Sequence, residues 1–304
     1  MIKWPQLTFM QHSEKKALEF FHKHREIFSM VGIVVICGAI GFGGGKVLNI
    51  FKAGLEATSD SEYIADADEE NSSCNVLGIN LHGDLYTYVP ENNDGELFSE
   101  KDVVSSEEVL GSIEAAEDDE DIKAIIIEVD SPGGYPVAGE EIANALKAAK
   151  KPVVAFIRQS GTSAAYWAIT TADQIFASKN SDVGSIGVTI SYLDNVSKNQ
   201  KEGLTYVQLS SGKYKDAGNP DKPLTEEEKG LIVRDLKIVH ENFIDEVAAN
   251  RNLSVEKVRE IADGSSVLGE RAMELGLIDG IGGFAEAKKY VEDKIGEKPE
   301  LCWQ

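Results

Sequence analysis

The chain has 304 residues, 52 acidic against 30 basic, a formal charge of −22 and three cysteines. That length holds one large domain or two small ones, and a composition 42% hydrophobic and 27% charged excludes wholesale disorder. Three cysteines cannot build a disulfide scaffold, and the acidic balance excludes a nucleic-acid partner, which needs a concentrated basic surface.

The charge is unevenly placed. Residues 1–53 hold seven Lys/Arg and three Glu, a net +4 that leaves −26 for the remainder. From Ile27 to Gly45 the run IFSMVGIVVICGAIGFGGG has no charged residue. About 20 apolar residues at ~1.5 Å each cross a ~30 Å hydrocarbon core, so a single transmembrane anchor is expected at 27–47. A cleaved signal peptide has a shorter charged lead and a shorter apolar run than this. His22-Lys23-His24-Arg25 precedes the span, and acidic residues from Glu56 to Glu70 follow it. Positive flanks stay in the cytoplasm. The expected order is therefore a cytoplasmic segment at 1–26, the anchor, and an acidic solvated linker at 48–75 on the outer side.

Beyond the linker, apolar runs alternate with helical patterns. VLGINL (76–81) reads as a strand and SEEVLGSIEAAEDD (106–119) as an amphipathic helix. AIIIEV (124–129) is a continuous β-branched run of the kind buried on both faces of a parallel sheet. The turn Ser131-Pro132-Gly133-Gly134 follows, then a helix at 138–150, a strand PVVAFI (152–157) and a helix at 163–172. QIFAS (174–178) and SIGVTI (185–190) read as further strands. The last third is helical over 225–251, over 254–263 behind Ser254 as N-cap, and over 271–276, which ends at a glycine suited to a helix terminus. This rhythm predicts an α/β layered fold with βαβ units.

Several chemistries lack their motifs. No HExxH, CxxC or GxGxxG occurs, so no metal or cofactor is expected. Past the linker the histidines are His82 and His240, neither beside a glycine-rich turn, and both read as structural. Two strand-to-helix turns remain. Gly161-Thr162-Ser163-Ala164-Ala165 puts a serine hydroxyl near a positive helix end among small residues, leaving room for a substrate carbonyl. An ordinary N-cap would read the same way. In Ser131-Pro132-Gly133-Gly134 adjacent glycines let a backbone N–H approach a ligand closely, as an oxyanion donor requires, although a plain tight turn has the same composition.

Taken in order, VDSPGGYPVAGEEIANAL, SGTSAAYWAITTADQIFAS, VGSIGV, SSGKYKD, LTEEEKG and IADGSSVLGERAMELGLIDGIGG resemble the signal peptide peptidase A family over roughly residues 76–290, leaving a tail at 291–304. The resemblance implies a ClpP/crotonase-type fold and a Ser-Lys dyad. By motif it implies Ser163 as nucleophile, Lys215 as general base with Lys213 a nearby rival, and Ser185 as the residue orienting the lysine. It implies Gly134 as oxyanion donor, with the Ala164 N–H as a plausible second. The sequence departs from the family at Ala164-Ala165, where a glycine pair is usual, and at Asp130, where Asn is usual.

A lysine with its ordinary pKa near ~10.4 cannot accept the serine proton, but burial disfavours its charged form and frees the amine to do so. The resemblance thus implies a membrane-anchored serine endopeptidase that cuts hydrophobic peptides such as remnant signal peptides, working as a homo-oligomeric ring. The same chemistry on a membrane-protein client, or a non-catalytic scaffold of the same fold, are the alternatives. Whether Cys74 and Cys302 pair is open at this level.

Overall fold

The computed structural model describes residues 74–89 and 103–304. The segment, anchor and all but the end of the linker expected before residue 74 lie outside the described residues. Among the described residues no helix is long and apolar enough to cross a membrane.

A parallel sheet forms the frame. Strands β1 (Val76–Tyr86), β3 (Ala124–Gly134), β4 (Val153–Thr162) and β5 (Gln174–Ala177) lie side by side, with β2 (Val103–Ser105) outside β1 and β8 (Gly280–Ile281) outside β5. The apolar run of β3 explains its central place: Ile125 and Ile127 are buried on one face while Ala124 and Ile126 are buried on the other. Helices α1 (Ser106–Asp118), α2 (Pro136–Ala148) and α3 (Ala164–Ile169) join successive parallel strands, so the βαβ expectation is met. Ser105 caps α1 by accepting from the Glu108 N–H. The register of β1 on β3 shifts between His82 and Asp84, and that of β3 on β4 between Val129 and Ser131. Past these irregularities the strands carry on into the two glycine-rich turns. The site therefore sits at the carboxyl ends of parallel strands, the usual place for a ligand crevice in such sheets.

The expected strand at 185–190 does not form. Pairing is made instead by β6 (Asp182–Gly184), which runs parallel to the end of β4 and antiparallel to β7 (Ser266–Leu268). Ser185 takes a φ of 51°, which breaks the extended backbone. Beyond it a long, largely exposed arm (residues 188–224) carries one short helix, α4 (Val196–Lys201). The chain returns in α5 (Glu226–Asn250), opened by a full capping box between Thr225 and Glu228. α6 (Val255–Ile261) follows with Ser254 as its cap, and α7 (Gly269–Leu275) ends at Gly276 with a φ of 82°.

Residues 291–304, set apart in the sequence as a tail, are built into the domain. α8 (Phe284–Ile295) packs Ala287 and Val291 onto the second face of the sheet, and β9 (Leu301–Trp303) pairs with the first residues of β1. A disulfide between Cys74 and Cys302 ties these two edges together. Three residues are too few for periodicity to reveal a strand, so only the structure shows this edge.

Candidate active site

Ser163 stands at the N-cap of α3, yet its hydroxyl makes no cap hydrogen bond. Its backbone is at φ 53°, ψ −128°, outside the regions that L-residues occupy at low energy. A residue held so costs of order ~1–3 kcal/mol and persists only where its surroundings over-determine it. Here they do. The Ser163 N–H donates to the Gly184 carbonyl at 2.7 Å, its own carbonyl accepts from the Trp167 N–H at 3.0 Å, and the Thr162 hydroxyl donates to the Pro132 carbonyl at 3.0 Å. The N-cap explanation of this serine therefore fails, and a strained elbow with an uncapped hydroxyl takes its place.

The Ser-Pro-Gly-Gly turn is packed against this elbow. A Cβ added at Gly133, whose φ is +107°, would lie 2.7 Å from the Ser163 Cβ and 2.9 Å from the Ala164 nitrogen. At Gly134 it would lie 2.2 Å from the Leu85 carbonyl oxygen. Neither position admits a side chain. Ser131 shapes the turn, donating from its hydroxyl to the Gly83 carbonyl at 2.6 Å and accepting from the Gly133 N–H at 3.1 Å. The expected oxyanion pair, Gly134 and Ala164, thus comes from two turns in direct contact.

A cavity of ≈ 580 Å³ opens at this junction and is lined by Gly134, Ser163, Ser185, His240 and Asp263, among others. The half-buried Ser185 donates from its hydroxyl to the Gly264 carbonyl at 2.8 Å, and the Gly264 N–H donates back to the Ile186 carbonyl at 3.1 Å. A hydroxyl oxygen so engaged still accepts, so it can receive a lysine N–H. Among the described residues three non-glycines have positive φ, and Ser163 and Ser185 are two of them. An adjoining groove of ≈ 460 Å³, mainly apolar, runs between Tyr86, Tyr135, Ile190, Leu236 and Val239.

The two departures from the family pattern settle into structure. Ala164 and Ala165 are buried, so their methyl groups fill the core rather than the cavity. Asp130 accepts from the Ser160 N–H at 3.2 Å.

The structure brings Ser163, Ser185, Gly134 and Ala164 together but leaves Lys215 apart. Lys215 lies in a turn of the exposed arm, its N–H donating to the Gly212 carbonyl at 3.1 Å, and it is not part of the cavity lining. Its side chain has no hydrogen-bond or ion-pair partner among the described residues. The rival Lys213 is committed. Its ammonium pairs with Glu227 at 2.5 Å, which, with Tyr214 beside it, holds its pKa above the ordinary lysine range.

His240 is the residue that sequence reasoning set aside. It lines the Ser163 cavity, and its Nε2 is buried without a hydrogen-bond partner among the described residues. An orphaned buried polar atom costs about 1–3 kcal/mol. Its signal was a histidine in line with Leu236, Val239 and Phe243 on the buried face of α5, a pattern that an ordinary core histidine also gives.

The family model described as peptidase family S49 matches residues 145–297, about half of the chain, a stretch that includes Ser163, Ser185 and Lys215. The chain belongs to peptidase family S49. It is 35% identical over 195 residues to a presumed protease of Methanocaldococcus jannaschii, covering 63% of this chain and 63% of that protein. It is 30% identical over 231 residues to a presumed signal peptide peptidase of Enterococcus faecium, covering 75% of this chain and 64% of that protein. Similarity to protease 4 of Haemophilus influenzae is 28% over 69% of this chain and 34% of that protein. The matches thus span less than two thirds of these S49 relatives' own length. A solved point mutant of ClpP1 from Listeria monocytogenes covers 69% of this chain and 93% of its own, at 14% identity and a TM-score of 0.43.

Proposed function

We propose that this S49 chain is a serine endopeptidase, anchored in the membrane by residues 27–47, that cuts hydrophobic peptides on the outer side. The observation that carries the reading is Ser163: a strained backbone, an uncapped hydroxyl, and a cavity beside a turn where no side chain fits. In the proposed reaction the Ser163 oxygen attacks the peptide carbonyl as Lys215, in its neutral form, takes the hydroxyl proton. The N–H groups of Gly134 and Ala164 stabilise the oxyanion, and the lysine returns the proton to the departing amine. Water then releases the acyl group from Ser163 by the same steps in reverse.

The apolar groove supports hydrophobic substrates, remnant signal peptides among them. A ClpP/crotonase-type frame is supported by the family's motifs and by the parallel sheet.

Lys215 reaches Ser163, in this reading, from a neighbouring copy in a homo-oligomeric ring. The support is the arm itself, which exposes Leu193 at 84% and Leu209 at 93% of their surface, as expected of a segment that another copy covers. Placement outside the cytoplasm is supported by the charge flanking residues 27–45 and by the Cys74–Cys302 disulfide, a bond characteristic of oxidising compartments.

The test is cleavage of a quenched hydrophobic peptide by the full-length protein in detergent. Ser163→Ala and Lys215→Ala are each expected to lower kcat/KM by ~10³-fold or more. Equal rates in wild type and both variants would end the peptidase reading.

A further inference from the structure

The apolar groove beside Ser163 carries a charge that the serine–lysine chemistry does not use. On β1, Asp84 and Tyr86 both line the groove while Leu85 between them is buried, as the alternation of a strand requires. Asp84 pairs in register with Gly133, the glycine packed against Ser163, so it stands one strand from the elbow. Gly134, Pro136, Val188 and Thr189 line both the groove and the Ser163 cavity, which therefore join into one trench.

The trench is charged one way. Among the described residues that line it are three aspartates, Asp84, Asp235 and Asp263, and neither a lysine nor an arginine. Asp235 is matched by the Arg234 guanidinium at 2.7 Å, and Asp263 accepts from the Ser265 N–H at 2.8 Å. The exposed Asp84 carboxylate has no hydrogen-bond or ion-pair partner among the described residues. A cleft lined by one sign of charge concentrates ligands of the other. The walls add a second requirement. The rings of Tyr86 and Tyr135 lie 5.2 Å apart, and Ile190, Leu236 and Val239 extend the apolar surface. A long apolar stem that ends in a cation meets both conditions, with its methylenes along the rings and its charge at the carboxylate. Among peptide side chains, lysine and arginine have that form.

We propose that Asp84 is a specificity-determining residue that pairs with a lysine or arginine of the bound peptide, whose stem lies along Tyr86 and Tyr135. The inference rests on the peptidase reading above and narrows its substrate class. The selected peptide is apolar with a basic residue near the cut bond, the pattern of a signal peptide where its charged lead meets the apolar run.

The test uses the full-length protein in detergent and quenched apolar peptides with one varied residue, placed in turn at each of three positions on either side of the cut bond. That residue is Lys, Met, which keeps a long stem without the charge, or Glu. Wild type is expected to cut the best Lys peptide with about 10-fold higher kcat/KM than its Met counterpart, the difference residing in KM, and the Glu counterpart more slowly than either. Raising salt from about 50 mM to about 0.5 M should shrink the Lys advantage to about 3-fold or less, because ions screen an exposed pair. Asp84→Asn should abolish the advantage, and Asp84→Glu, which keeps the charge, should retain most of it. A wild type that cuts Met peptides as well as Lys peptides at every position overturns the proposal. So does an advantage indifferent to salt or unchanged in Asp84→Asn. An advantage kept in Asp84→Asn but lost in Asp263→Asn gives the selection to the other carboxylate and overturns the role of Asp84. Labelling of Ser163 with a fluorophosphonate in the same samples separates the two readings. A labelled chain without charge preference loses the role of Asp84 alone, whereas an active Ser163→Ala removes the peptidase reading itself.

Discussion

The elbow at Ser163 and the arm around Lys215 belong to one chain but are built by opposite means. The elbow is held in a costly backbone conformation by hydrogen bonds from β4, β6 and the Ser-Pro-Gly-Gly turn, and it rests on a helix whose six residues are all buried. The arm holds itself together with polar contacts of its own: Asn195 and Asn199 donate to Asp221, and Tyr206 donates to Asp216. Its large apolar side chains face outward. The proposed nucleophile is thus held in place by the fold of a single chain. The proposed base sits on a segment whose apolar surface lacks a covering. In this account the chain makes half a dyad twice, and assembly joins the halves.

That contrast is most directly broken by mixing. Ser163→Ala and Lys215→Ala, each inactive alone, are expected to regain about a quarter of wild-type activity when co-assembled in equal amounts, because half the nucleophiles meet an intact neighbouring lysine half the time. No recovery in verified mixed assemblies would place both groups of the dyad in one chain. Next in size is Gly133→Ala. A methyl group 2.7 Å from the Ser163 Cβ, at a φ of +107°, should lower kcat/KM by ~10²-fold and stability by about 1–3 kcal/mol, read by kinetics and chemical denaturation.

The disulfide tests whether the elbow depends on the sheet edge far from it. Cys302→Ser, or reduction of the wild type, should cost about 2–5 kcal/mol of stability while leaving the rate per folded molecule unchanged. A lost rate in the still-folded protein would couple that edge to the site. The smallest effect concerns the root of the arm, where the Lys222 ammonium donates to Glu228 at 2.5 Å with both side chains largely buried. That hydrogen bond and the Thr225 N–H hold the Glu228 carboxyl below its usual range. A depressed folded pKa means that stability is present above the unfolded value near ~4.3 and is lost as pH falls through the folded one. Glu228→Gln should therefore melt below wild type at pH 7, and the gap should narrow in acid below about pH 4. A gap independent of pH would show that the loss lies in packing.

Much of the frame was legible because its signals are local. The β-branched run of β3 and the capping residue Ser254 announce themselves within a few positions. Ser163 was legible as a serine at a strand-to-helix turn, but its strain was not, since φ depends on Gly184 and Pro132 from other elements. The strand expected at 185–190 failed for the same reason: Ser185 turns toward Gly264, a partner 79 residues away. His240 escaped notice because a histidine on a buried helix face looks alike whether it meets core or cavity. Its place at the cavity depends on how α5 packs on α3, where Phe243 stacks on Trp167. The pairing of Cys74 with Cys302 follows from β9 lying beside β1, a contact that no local pattern carries.

The central claim is that Ser163 is an activated nucleophile, and covalent labelling measures it most directly. Full-length protein treated with a fluorophosphonate and digested for mass spectrometry should carry the adduct on Ser163, with labelling and peptide cleavage lost together in Ser163→Ala. An adduct on another serine, or an unlabelled Ser163 in protein that still cleaves peptide, would contradict the account.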